Sequence, residues 1–321
     1  MNLSYSLRLL CLLTVVAGCV QGALQLVLRL NARALLRRMD AAGSRLRERL
    51  LYAVQMAPLL IAIFAAGALC LPEYLWYEPA HEAEPVSWIT LLLAAIVGIW
   101  FGSALLGGLR IALRTLRFAA ACRRSGRIVR HLGSGTPILA LAGPNPPVAL
   151  VGFLHPFVLV STDLLEAGSL QPEALRIALD HERSHAAHHD NWKLLTLSFL
   201  PRLHADPWLQ HWQRAADWAA DDDAVRGDPA LALLLADAIV CAARLVRAFR
   251  APVICAALTS ADAGLAIRID RLLNPRRTSR PANATVRLGV AAAVLCIIGA
   301  GLIASPWIYG ISESILHLGG F

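Results

Sequence analysis

Charge is scarce in this sequence. Only 16% of its 321 residues are charged, 57% are hydrophobic, and the mean hydropathy is +0.56. A soluble domain carries about 25% charged residues, and a larger core does not explain the shortfall, because buried fraction grows slowly with length. The composition therefore excludes a disordered chain and argues against a purely soluble enzyme. Lysine is nearly absent: Lys193 is the sole lysine among 30 basic residues, and arginine supplies the rest of a net charge of +8. The seven cysteines are odd in number and include no C-x-x-C pair. That pattern encodes neither a disulfide framework nor a cysteine zinc cage. Internal repeats and low-complexity tracts are lacking as well.

What the sequence does contain is long apolar runs. Four stretches, at about 9–28, 52–71, 88–109 and 288–309, approach or exceed the roughly 20 apolar residues that cross a bilayer. The expected architecture is a multi-pass α-helical membrane protein of four transmembrane helices with an inserted, mainly helical α+β domain. Its expected divisions are 1–114 for three spans and a basic loop, 115–285 for the domain, and 286–321 for the fourth span and a short tail.

Arginine placement sets the expected orientation. Arg29, Arg33, Arg37, Arg38, Arg45, Arg47 and Arg49 follow the first span, whereas Glu73, Glu78, Glu82 and Glu84 follow the second. Arginines return after the third span, from Arg110 to Arg130, and again before the fourth, from Arg268 to Arg287. The positive-inside rule then makes the first loop and the domain cytoplasmic, with both termini outside, in a bacterial inner membrane. The basic excess reads as topology, so nucleic acid is not an expected partner. Val16-Ala17-Gly18-Cys19 looks like a lipoprotein cleavage site, but cleavage there would leave the arginine-rich loop outside.

The chemistry concentrates in Asp180-His181-Glu182-Arg183-Ser184-His185, which contains H-E-x-x-H. Pro172 and Glu173 suit a helix start, and neither Gly nor Pro intervenes before Pro201. On a helix, His181 and His185 share one face and can aim two nitrogens at one Zn2+, with Glu182 beside them as general base. His189 lies too far along the axis to complete the set. The third ligand is sought in a second helix, 214–225, where Asp217 and Asp221 are four apart. One can ligate while the other orients a ligating imidazole. Asp222 and Asp223 read as a solvated charge run. Residues 147–161 read as strand, bend, strand, and Val151, Gly152 and Phe153 are candidates for binding an extended peptide by strand addition. His155, His188 and His204 are candidate oxyanion stabilisers by residue type alone.

From about Val148 through Pro275 the chain resembles the integral-membrane zinc metallopeptidases of the BlaR/MecR type. The resemblance rests on Phe153–Ser161, on 175–190 with its H-E-x-x-H, on the later acidic helix, and on Arg268-Ile269-Asp270-Arg271-Leu272-Leu273. It implies a zincin-like domain with zinc held by His181, His185 and Asp217, Glu182 polarising the attacking water, and Asp221 supporting a ligand. The family has Glu at the third-ligand position; Asp217 here is one methylene shorter. The family's β-lactam transducers carry an extracellular sensor after the last span; this sequence shows none, so β-lactam sensing is not expected. The resemblance implies regulatory cleavage of a protein substrate, such as a transcriptional repressor, at the inner face of the bilayer. The alternatives are a quality-control peptidase of the HtpX type and a non-enzymatic transducer with a degenerate site. Oligomeric state is not legible.

Overall fold

The protein is described by a computed structural model covering residues 4–40, 42–77, 86–129, 136–143, 145–166, 170–203, 207–245, 255–257 and 264–274. The expected fourth span, the arginines from Arg276 onward, His204, and Glu78, Glu82 and Glu84 lie outside the described residues.

Among the described residues, three helices are long and apolar enough to cross a membrane: Tyr5–Leu30, Ser44–Trp76 and Trp88–Ser125. The first is α1, followed by the short arginine-rich α2 (Ala32–Met39). The second comprises α3 (Ser44–Phe64), a π-helical stretch at Ala65–Cys70, and α4 (Leu71–Tyr77). Pro58 lies inside α3, which continues past it to Phe64 before the π-helical stretch begins. The third is α5 (Trp88–Ser125), begun by Ser87, whose side chain accepts from the Ile89 N–H. Thirty-eight residues span roughly 57 Å, well beyond the roughly 30 Å of a bilayer core. The third helix therefore runs past the expected limit at 109, and past the expected domain boundary at 114. The sequence offers nothing to stop it before Gly126.

That overrun has a structural use. Five strands follow: β1 (Arg127–Ile128), β2 (Ile138–Leu141), β3 (Val148–Val151), β4 (Phe157–Ser161) and β5 (Cys255–Ala257). They form one mixed sheet in the order β1-β2-β4-β3-β5, with β2 and β4 parallel and the other pairs antiparallel. Side chains alternate across a strand. In β4, Phe157 and Leu159 face Ala119 and Cys122 on the end of α5. Val158 and Val160 face the opposite side, with Val148 and Leu150 of β3, against helices. Both faces are covered, which is why these strands read as unbroken apolar runs.

The helices on the second face carry the candidate site. After the short α6 (Thr162–Glu166) come α7 (Pro172–Ala187), α8 (Asp190–Ser198), α9 (Pro207–Val225), α10 (Pro229–Leu245) and α11 (Gly264–Leu273). Ala174, Ile177, Ala178 and Leu179 of α7 pack against the sheet and against Leu235 and Ile239 of α10. A second cluster joins membrane and domain: Leu51 of α3 packs with Leu197 of α8 and Trp208 and Trp212 of α9.

Although neither Gly nor Pro falls between Pro172 and Pro201, the helix that starts at Pro172 is broken at His188 and His189. His189 adopts φ 55, ψ 37, the left-handed region, where His is tolerated better than bulkier or branched residues. The break turns the chain so that Asp190 faces back toward α7.

Candidate metal centre

One turn of α7 brings His181 and His185 together. Their Nε2 atoms lie 3.2 Å apart, and both side chains are buried. Each Nδ1 faces a carboxylate: His181 Nδ1 is 3.0 Å from Asp221 Oδ1, and His185 Nδ1 is 2.8 Å from Asp190 Oδ2. With both Nδ1–H groups donated, two Nε2 lone pairs point at one another. A proton on one ring, the Arg268 guanidinium 3.1 Å from His181 Nε2, or a metal ion would each relieve that repulsion.

A third donor is at hand. Asp217 Oδ1 on α9 lies 3.6 Å from His185 Nε2, and the donor atoms of His181, His185 and Asp217 all lie within 4.8 Å of one another. Two imidazoles and a carboxylate are a usual zinc donor set, and bonds of about 2 Å to a tetrahedral ion put ligand atoms roughly 3.3 Å apart. The residues present fit such an ion in donor type, and the His181–His185 and His185–Asp217 separations are close to that spacing. Asp217 keeps 18% of its side chain exposed, whereas His181 and His185 keep at most 2%.

Glu182 is fully buried. Its Oε2 accepts from the Leu150 N–H of β3 at 2.9 Å, while its Oε1 has no partner. Burial raises its pKa to about 7, against the smaller opposing effects of His185, the Leu150 N–H and Arg268. Burial also pushes Asp217 up, against Arg268 and His185. Glu182 and Asp217 are thus two buried or recessed carboxylates whose nearby cations do not offset the cost of burial. Asp221 and Asp190 differ from them. Burial opposes their ionisation too, but Arg268 holds Asp221 far below the usual range, and His185 and Lys193 hold Asp190 below it.

The arginine is Arg268 of α11. Its Nη2 and Nε grip the two Asp221 oxygens at 2.5 and 2.8 Å, a bidentate pair with both partners buried. The same Nη2 lies 3.1 and 3.3 Å from the ring nitrogens of His181. Burial first and this cation second lower the His181 pKa to about 3. For His185, burial acts downward, but the Asp190 hydrogen bond and the charges of Asp190, Glu182 and Asp217 outweigh it and raise the pKa. Both imidazoles carry a carboxylate, yet they are poised oppositely.

Three expectations change. Leu150 of β3 faces Glu182 with its N–H, and its C=O accepts from Asn191 Nδ2 at 3.1 Å. On the other side β3 pairs with β4, and β5 pairs with it in the register Val151 to Cys255. Val151 therefore sits in an interior strand and offers no free edge for strand addition. Gly152 and Phe153 lie beyond the ladder. Gly152 has φ +86 and its C=O accepts from Asn191 at 2.7 Å, while Phe153 packs on the Trp192 ring. Second, Asp222 and Asp223 are exposed as expected but are also ion-paired: Asp222 makes two 2.6 Å contacts with Arg271, and Asp223 bonds Arg45, Ser184 and His188. Third, His188 is engaged by Asp223, and His155 is exposed with its C=O accepting from Arg123, so neither reaches the imidazole pair.

Asp190, Asn191, Lys193 and Glu48 are the site residues that the sequence pattern did not single out. An acid five residues after a histidine has no helical signature, and it reaches His185 only through the left-handed turn at His189. Comparison with protein-family models gave no match, and comparison with the curated proteins gave none.

Proposed function

We propose that the chain is a membrane-embedded, zinc-dependent endopeptidase of BlaR/MecR-like character, cleaving a protein substrate at the cytoplasmic face. The observation that carries this reading is the pair of facing Nε2 atoms, 3.2 Å apart, beside buried or recessed carboxylates at Glu182 and Asp217 whose pKa burial raises despite the nearby His185 and Arg268. Ion pairing accounts for Asp221 and Asp190, and a divalent cation would account for the other two. His181, His185 and Asp217 would hold the ion. When bound, zinc activates water and polarises a scissile carbonyl.

Glu182 supplies the proton handling. A carboxyl group raised to about 7 is matched to accept and return a proton near neutral pH. Its Oε2 is anchored on the Leu150 N–H, which leaves Oε1 to take the water's proton and deliver it to the leaving amine. Asp221 and Asp190 each face an Nδ1, an arrangement that favours the tautomer with Nδ1 protonated and Nε2 directed at the ion. Asp217 is the partly exposed member of the set, so ion and substrate would enter on its side. Three candidate spans before the domain agree better with this reading than with an HtpX-type layout of two on each side.

A second reading also has an observation behind it. Arg268 places a resident cation 3.1 Å from His181 Nε2, as a degenerate, ion-paired core in a non-enzymatic transducer would. Metal analysis of the purified protein separates the two. The enzyme reading expects stoichiometric zinc, retained in Glu182→Gln with proteolysis lost by at least about a hundredfold, and zinc and proteolysis both lost in His185→Ala. Full proteolysis by Glu182→Gln would overturn the assignment.

A further inference from the structure

Glu48 lies near the start of α3, in a helix long and apolar enough to cross the membrane, and is completely buried. Its Oε1 accepts from Lys193 Nζ at 2.9 Å and from Trp212 Nε1 at 3.1 Å. Lys193 Nζ also donates to Asp190 Oδ1 at 2.9 Å, and Asp190 Oδ2 faces His185 Nδ1 at 2.8 Å. Three helices, α3, α8 and α7, thus contribute to one unbroken chain of charge-assisted hydrogen bonds ending on the imidazole of the candidate site. A single carboxylate suffices to orient a ligating histidine. Here that carboxylate shares the sole lysine of the sequence with a second carboxylate, 142 positions before Asp190 in the chain.

We propose that Glu48 is a positioning residue for His185, acting through Lys193 and Asp190, so that the placement of the membrane helix α3 is an input to the metal centre. The proposal rests on the metallopeptidase reading. Other contacts fasten the same turn of α3. Arg45 Nη2 bonds Asp223 at 2.5 Å and Ser184 at 3.0 Å, and Ser44 bonds Asp222. Displacement of α3 would therefore pull on α7, α8 and α9 together, and would reach His185 by the Glu48 chain. On the His181 side the supporting residues Asp221 and Arg268 belong to α9 and α11, and α3 meets α9 at the neighbouring Asp222 and Asp223. A shift of α3 would act on His185 through this side-chain relay and on His181 less directly, through the backbone of α9, distorting the site rather than moving it whole.

The test uses the full chain in lipid nanodiscs, with zinc affinity by chelator competition and the visible absorption spectrum of the cobalt-loaded protein as readouts. Asp190→Asn sets the scale and should weaken zinc binding by about 10- to 100-fold. Glu48→Gln should weaken it by about three- to tenfold, within that scale, and should change the cobalt spectrum, which a purely structural role would not. Lys193→Met should behave the same way, and the double variant should be no worse than either single one, because each breaks the same chain. Wild-type affinity and spectrum in Glu48→Gln, or additive losses in the double variant, would overturn the proposal. Should Glu48→Gln fail to fold, Lys193→Met decides alone by the same readouts. Wild-type protein that takes up no zinc would sink the metallopeptidase reading, and this inference with it, before any variant is compared.

Discussion

The two imidazoles of the candidate centre are one helical turn apart and similarly supported, yet they are tethered to different parts of the molecule. His181 is held by Asp221, which is gripped by Arg268 in a buried bidentate pair from α11. His185 is held by Asp190, which shares Lys193 with Glu48 from the membrane-associated α3. Lys193 keeps 21% of its side chain exposed and Arg268 only 5%. The first tether is sealed and domain-internal; the second is looser and reaches the membrane helices. On the proposed metal reading, the difference would let chemically similar supports fix one ligand and leave the other responsive.

Removing the carboxylate from each tether should give the largest contrast. Asp221→Asn removes the bidentate partner of the buried Arg268 guanidinium, and breaking a buried pair on one side costs about 3–5 kcal/mol. Asp190→Asn leaves Lys193 with Glu48 and a route to solvent, so the cost should be nearer the about 1–2 kcal/mol of a lost hydrogen bond. Both should weaken zinc binding. Chemical denaturation of the two variants in parallel checks this, and equal destabilisation would erase the distinction. Arg268→Lys should not rescue the first tether, because an ammonium cannot reproduce the fork.

A smaller contrast lies in pH, in chelator-treated protein. His181 titrates in the folded state at about 3, below its ordinary 6.5, so its contribution to stability is present above 6.5 and is lost as pH falls toward 3. His185 is raised, so its contribution is present below 6.5 and is lost as pH rises through the folded value. The stability gap between wild type and His181→Gln should therefore narrow on acidification, while the gap for His185→Gln should narrow on alkalinisation. The two trends should each amount to a few kcal/mol at most. Parallel trends would show that the tethers are electrostatically equivalent after all.

Much of this centre was legible in the sequence where its parts obey a local period. His181, Glu182 and His185 follow from one helical turn, and Asp217 with Asp221 from another. Two strands also fall where β-branched residues flank Gly152 and Pro156. The Glu48 and Lys193 contacts obey no period. They depend on how α3 packs on α8 and α9, which only the folded chain determines. β5 escaped for a similar reason: three residues, Cys255–Ala257, are too few for a pattern, yet their pairing converts β3 from an edge to an interior strand. The overrun of α5 is the reverse case, a helix that nothing in its own sequence tells to end at the bilayer.

The smallest expected effect is also the control for the whole comparison, because exposed ion pairs join the same elements as the buried tethers. Asp222 ties α9 to α11 through Arg271, and Asp223 ties α9 to α3 through Arg45. Arg47 and Arg271 stack on Trp218 from opposite elements, at 5.3 and 5.4 Å, and strengthen the same junctions. These aspartates keep 44% and 42% of their side chains exposed, so water and salt screen the pairs and each contributes less than about 1 kcal/mol. Asp222→Asn and Asp223→Asn should accordingly cost less than about 1 kcal/mol each, with the loss fading in high salt. Zinc affinity should stay within about twofold, since neither side chain touches a donor atom. If either variant instead matched Asp221→Asn or Asp190→Asn, the rim would be what holds the elements together. The buried carboxylates would then owe their effect to location on a shared helix and not to the imidazoles they face.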